Sequence, residues 1–399
     1  MNLNTTMTTL GALVLAAGTA LGAEPTDLSI DVTNAYHNEL SADASSHASF
    51  GTNVSEYAPK VFGFFQARYQ ANFSDGYTFS TEDMTTGFEF GTTRLGVKGS
   101  IHPRVSYSVV GEFARSGGGF TLLDAYADIE LNDDWDLRAG QFTLGYLREQ
   151  NVSRSKQLTS ERSVTNGFFS QGRAQAISLR YAKDKLRADI AFSDGGNTTN
   201  TAYNAATEAD YAFSGRLEYL GAGNWDQFND FTSWRGSDKA WMLGGAVHFQ
   251  DGGSTGATGG STASTQILGA TADFSMEFDG ANLYGAFIYQ SMDGAAGDFD
   301  DFGVIVQGGY FFTDIVEAFA RWDAVFADSN RTLNDDFHAV TAGINYYLIE
   351  NSHAAKLTFE GSYYPEGQST SPIAPSTATG VLGSTDEQFN LRAQLQIVF

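Results

Sequence analysis

The chain has 399 residues, with 23 Lys+Arg against 47 Asp+Glu for a formal net charge of −24, and it combines 44 Gly with 6 Pro, 14% aromatic residues and no Cys. The absence of cysteine excludes disulfides and thiolate metal centres, and the acidic excess leaves no basic footprint for nucleic acid, so no nucleic-acid partner is expected. Beyond the N-terminus no run approaches the ~18 apolar residues of a membrane-spanning helix.

The first segment reads as an export signal. Residues 10–17, "LGALVLAA", form a short apolar core, and "GTALGA" ends in small residues suited to cleavage after Ala23. Residues 1–23 contain no Lys or Arg, so the terminal amine alone supplies the positive charge of the signal. Residues 24–59 are polar and rich in Ser, Ala and Asn. They are expected to be a periplasmic extension with a short helix near Val32–Asp43.

From Lys60 onward the chain breaks into segments of alternating polarity, separated by Gly, Asn and Asp. In "LRAQLQIVF" Leu391, Ala393, Leu395, Ile397 and Phe399 share one face, and Arg392, Gln394 and Gln396 the other. About sixteen such segments are expected, at 60–73, 88–101, 104–114, 120–131, 135–143, 173–182, 185–193, 210–220, 239–250, 265–278, 281–291, 301–312, 315–326, 336–348, 355–364 and 387–399. Segments of roughly ten residues can cross a bilayer on a tilt, and a closed barrel satisfies every backbone polar group in lipid. The expected fold is therefore all-β, a transmembrane antiparallel β-barrel spanning 60–399. Short connections such as "IHPR" and "AKDK" alternate with long polar ones such as 144–172 and 365–386. Residues 221–238 break that alternation: parity calls for a short turn where the sequence has a long one. Either the turn is extended or the strand count is off by a pair.

Within the strands Arg68, Arg94, Lys98, Arg138, Arg180, Lys185, Arg187, Arg216, Arg321 and Arg392 fall on the polar face, as do Glu112, Glu218, Glu317 and Asp323. Lipid excludes charge by roughly 2–4 kcal/mol at the bilayer midplane, so this face is expected to line a water-filled channel of mixed sign. Arg68, Arg94, Lys98, Arg180, Lys185, Arg187 and Arg216 are the expected lumen wall. Residues 148–187 hold nine basic and three acidic residues. By parity the stretch beginning "LREQNVSRSKQLTSERSV" is the third external loop, long enough to fold into the channel. One reading is a constriction that focuses anions, built on Arg148, Arg154, Lys156, Arg162 and Arg173; the other is a solvated loop.

The run "LLDAYADIELNDDWDLRAGQFTLGYLREQNVSRSKQLTSERSVTNGFFSQGR" resembles the phosphate-selective porin O/P family. The resemblance rests on Asp124–Tyr126, Gly140–Phe142, Glu149, Glu161–Ser163 and Gly172–Arg173 over residues 120–182. The usual proline after the Phe is absent from "QFTLGYLREQ". The resemblance implies a sixteen-stranded trimeric channel of the Gram-negative outer membrane, with an infolded third loop and basic residues along the pore. Outer-membrane lipid and lipopolysaccharide are the implied surroundings, and small anions such as phosphate the implied permeants. The acidic loop residues Asp293, Asp298, Asp300 and Asp301 weigh against an anion funnel along the whole route. A general or cation-preferring porin and a structural or adhesive barrel are the alternatives. The six His are scattered, with neither G-x-S-x-G nor H-E-x-x-H, so neither an enzyme nor a cofactor is expected.

Overall fold

The computed structural model describes residues 58–74, 84–203, 205–253, 265–294, 297–367, 369–374, 376, 378–383 and 386–399. The export signal, the extension to residue 57 and its expected helix lie outside the described residues. Sixteen antiparallel strands are seen among those described, in two runs of eight. The first is β1 (Lys60–Phe73), β2 (Met84–His102), β3 (Val105–Phe113), β4 (Phe120–Asn132), β5 (Trp135–Thr143), β6 (Arg173–Lys183), β7 (Leu186–Ser193) and β8 (Tyr211–Ala222). The second is β9 (Ala240–Asp251), β10 (Gln266–Phe278), β11 (Ala281–Gly294), β12 (Gly297–Phe311), β13 (Val316–Phe326), β14 (Phe337–Tyr347), β15 (Ala355–Tyr364) and β16 (Gln388–Val398). Each strand pairs with its sequence neighbours, and β1 pairs with β16 to close the barrel. Phe399 extends the closure by exchanging two backbone hydrogen bonds with Gly63, at 2.8 and 2.9 Å.

The alternating pattern sorts the side chains as lipid requires. Ile177, Ile190, Leu217, Leu243, Val247 and Ile344 point outward and are exposed. Aromatic contacts cluster at both rims: Trp135–Tyr181, Tyr219–Trp241 and Tyr310–Phe312 at the short-turn end, Phe192–Phe213 and Tyr289–Phe302 at the long-loop end. These are the two girdles expected of a barrel in a bilayer.

Four local expectations need correction. The 221–238 anomaly is an extended turn (223–239) between β8 and β9, and the strand count of sixteen holds. Residues 292–300 are not a long loop, because β11 and β12 continue as one long hairpin, pairing Asp293 with Asp298. Asp301 is buried on β12 against Arg331, with Nε to Oδ1 at 2.8 Å. Lys185 lies in the β6–β7 turn rather than on the lumen wall, exposed and donating to the Gly221 carbonyl at 3.3 Å.

The lumen is also less uniformly polar than alternation suggested. Tyr284, Ala286, Ile288, Ile305, Phe319, Val325, Phe337 and Ala339, from β11 to β14, are buried in an interior apolar cluster with residues of the β5–β6 loop. A barrel wall that is apolar on both faces needs a cover inside, and that loop supplies it.

Candidate functional site in the lumen

The β5–β6 loop carries two short helices, α1 (Arg148–Asn151) and α2 (Val164–Phe169). Its Tyr146, Leu147, Val152, Leu158, Val164, Phe168 and Phe169 pack onto the apolar wall. Burial of that surface is what draws the loop inside. Its buried backbone is satisfied by strand side chains: Asn345 donates to the Leu158 carbonyl (2.9 Å), Lys356 to that of Gln157 (2.7 Å) and Gln396 to that of Ser155 (2.9 Å). Such partners are obligatory for chain held away from water.

The residues of the recognised run wire this loop together. Gly140 adopts φ +134°, where a Cβ would lie 2.2 Å from the Ala125 carbonyl. Gln141 donates to the Leu123 carbonyl at 2.8 Å, and the guanidinium of Arg138 lies 3.8 Å from the centre of the Tyr126 ring. Asp124 accepts a two-pronged pair from Arg173, at 3.0 and 3.2 Å, tying the loop's exit to β4. Ser163 caps α2, its Oγ accepting from Asn166 N (2.8 Å), and the Glu149 carboxylate holds that cap residue, accepting from Ser163 N (2.7 Å) and Ser163 Oγ (2.5 Å). Burial pushes the Glu149 carboxyl up, while Arg321 and the Ser163 bonds pull it back.

Each expected constriction residue now has a place. Arg148 is buried and donates to Ser275 Oγ and to the Phe228 and Asp230 carbonyls, at 2.9, 3.0 and 3.2 Å. Arg162 donates to the carbonyls of Glu149, Gln150 and Val152 within its own loop, at 2.9, 3.0 and 2.7 Å. Lys156 is buried and Arg173 is paired with Asp124. Arg154 differs: its side chain is 26% exposed and pairs with Glu161 at 2.6 Å. Glu161 also accepts from Arg68 (2.8 Å) and from Arg115 of the β3–β4 loop. Burial raises the Glu161 carboxyl, but Arg154, Arg68 and Arg115 together hold it well below the usual carboxylate range. Composition gave no sign of Arg115, because only the barrel brings the β3–β4 loop to this point.

The opposite wall, β2 to β7, carries a second set of charged residues, of which Arg94, Arg138 and Arg180 are buried and Lys98 and Arg187 half-buried. Arg94 pairs with Glu112 (2.5 Å), Arg138 and Arg180 share Asp128 (2.7 and 2.8 Å), and Lys98 and Arg187 lie over the Phe62 and Trp225 rings. Arg104, Arg180, Arg187 and Asp136 line a cavity of ≈ 280 Å³ at the short-turn end of this wall. Arg216 instead binds Glu218 and Asp273 and the Tyr146 carbonyl, bracing the loop's entry.

The extended turn enters from the other end. Its Phe228 and Phe231 are buried, Phe231 joins the interior cluster and packs on Tyr284, and Phe231 N donates to the Lys156 carbonyl at 3.4 Å. His353 binds Asp230 at 3.2 Å, and Trp234 packs on Tyr347 and Phe311. The loop is thus held from beneath by a turn that sequence reasoning noted only as a parity failure.

The family model described as phosphate-selective porin O and P matches residues 65–381. Among solved structures, the chain is similar to the anion-selective porin from Comamonas acidovorans (TM-score 0.61, 14% identity, covering 86% of this chain and 100% of that one). It is also similar to the outer membrane channel DcaP of Acinetobacter baumannii (TM-score 0.57, 12% identity, 88% and 100%) and to OprB of Pseudomonas putida (TM-score 0.56, 9% identity, 86% and 94%). No curated protein matches the chain in sequence.

Proposed function

Since the chain belongs to the phosphate-selective porin O and P family, we propose that its outer-membrane porin channel carries small hydrophilic solutes along the β2–β7 wall, with a modest preference for small anions. The observation that carries this reading is the wall itself. Lys98 and Arg187 are half-buried on this wall, Arg94, Arg138 and Arg180 are buried beside them, and Glu112 and Asp128 partner those three. A mixed wall attracts anions without trapping them, because each carboxylate cancels part of the field that a narrow lumen focuses. Phosphate fits this chemistry as one permeant among several. Arg148, Arg162 and Arg173 serve in this reading as braces that fix the loop, and Arg154 as its contribution to the passage.

Assembly as a homotrimer in lipid and lipopolysaccharide, after removal of residues 1–23, belongs to the same proposal; a similar structure, OmpT of Vibrio cholerae, is described in a trimer form. Purified protein in a planar bilayer is expected to give stepwise conductance. A salt gradient is then expected to give a reversal potential on the anion side of zero. A cation-side potential would favour the cation-preferring alternative, and the absence of steps would remove the channel reading.

A further inference from the structure

We infer that Glu161 is a built-in counter-anion that sets the selectivity of the lumen by occupying the position a permeating anion would otherwise take among three guanidiniums. The inference rests on the channel reading above and specifies the residue that tunes it. Arg68 reaches Glu161 from β1, Arg115 from the β3–β4 loop and Arg154 from the β5–β6 loop itself. Glu161 Oε1 accepts from Arg68 Nη1 at 2.8 Å and also from Arg115, while Oε2 accepts from Arg154 Nη1 at 2.6 Å. Glu89 is the second carboxylate here, bound to Arg68 and 3.7 Å from Arg115. Three guanidiniums therefore share two carboxylates, leaving the cluster one positive charge in excess.

Anchoring the loop does not call for this arrangement. The loop is already fixed by its apolar face, by the two bonds Ser163 donates to Glu149 and by the three carbonyl contacts of Arg162. A single arginine would hold Glu161. Gathering three repels like charges, a cost lifted only while an anion sits between them. The cluster also opens to water on one side: Arg115 and Arg154 are 23% and 26% exposed, whereas Arg68 is fully covered. Guanidinium forks match carboxylate and oxyanions alike. With the Glu161 charge removed, the open edge of the cluster becomes an anion site reachable from water.

The test is Glu161→Gln in planar bilayers, with assembly checked by heat-modifiable migration. The anion-to-cation permeability ratio in a KCl gradient is expected to rise on the order of threefold or more, since charge in a narrow lumen is weakly screened. Millimolar inorganic phosphate, without effect on the wild-type chloride current, is expected to reduce that of the variant. Arg115→Gln, which removes a guanidinium from the cluster's exposed edge, is expected to shift the ratio toward cations. An assembled Glu161→Gln channel with wild-type reversal potential overturns the inference and leaves the channel reading intact. If that variant does not assemble, Arg115→Gln decides: an unchanged ratio overturns the inference. A wild type that passes no current overturns the channel reading instead.

Discussion

Gly140 and Arg162 show how single residues make the loop possible. At φ +134° and with the Ala125 carbonyl and the Tyr126 Cα where a Cβ would sit, Gly140 tolerates no side chain. Gly140→Val is expected to abolish barrel assembly, read as loss of heat-modifiable migration, whereas alanine at Gly119, whose Cβ would meet nothing, leaves assembly intact. Arg162 satisfies three carbonyls of its own loop, those of Glu149 and Val152 buried and that of Gln150 half-buried. Arg162→Met leaves them without that donor, at a cost of about 1–3 kcal/mol for each group left unsatisfied; loop docking is expected to loosen, measured as increased open-channel current noise. Glu161 brings a pH dependence of its own. Its carboxyl is held below the usual range, so its charge contributes stability above the unfolded value of about 4.3. That contribution is lost only as pH falls from there through the lower folded value. The difference in reversal potential between the wild type and Glu161→Gln is therefore expected to be constant from pH 8 to 5 and to fade only in stronger acid. Loss of that difference already complete at pH 5 would contradict this assignment.

At the scale of elements, the extended turn and the β5–β6 loop depend on each other. Phe231 inserts into the interior cluster, and Arg148 binds the turn's carbonyls. Phe231→Ala is expected to weaken this contact by roughly 3–5 kcal/mol, the usual cost of emptying a buried aromatic site. Global barrel stability should change little, while protease applied from the short-turn side is expected to cleave within 223–239. Resistance equal to wild type would show that the turn is held by other contacts. The strands themselves were legible in the sequence because lipid imposes alternation on their outer face; β1 matches its expected bounds at both ends. The infolding was legible from loop length and parity. The inner face was harder to read. The inward residues of β11, Tyr284, Ala286 and Ile288, are apolar like their outward neighbours, so alternation vanishes there and nothing local says which face meets lipid. Lys185 was misplaced for a similar reason: alternation continues one residue into the turn. The basic run of the loop was visible, but its purpose was not. Whether an arginine faces water or a buried carbonyl is settled by distant strands, as with Arg148 and Ser275 of β10.

For the whole molecule, the loop divides the barrel into two unlike halves. Behind it, the wall from β11 to β14 is sealed by apolar packing. In front of it, the β2–β7 wall holds paired charges and lines the cavity near Arg104 and Arg187. One consequence concerns salt. Charges along a narrow passage are screened less than charges at the mouth, so anion preference is expected to persist at 1 M KCl, where the Debye length is about 3 Å; collapse of the reversal potential at that concentration would place the selective charges at the surface instead. The route itself can be mapped cleanly, because the chain has no native cysteine. Lys98→Cys on the β2 wall and Ile305→Cys behind the loop, each treated with a charged thiol reagent during bilayer recording, test it most directly. The expected result is a stepwise loss of current for Lys98→Cys and none for Ile305→Cys; modification of Ile305→Cys with block of the current, and silence at Lys98→Cys, would contradict the account.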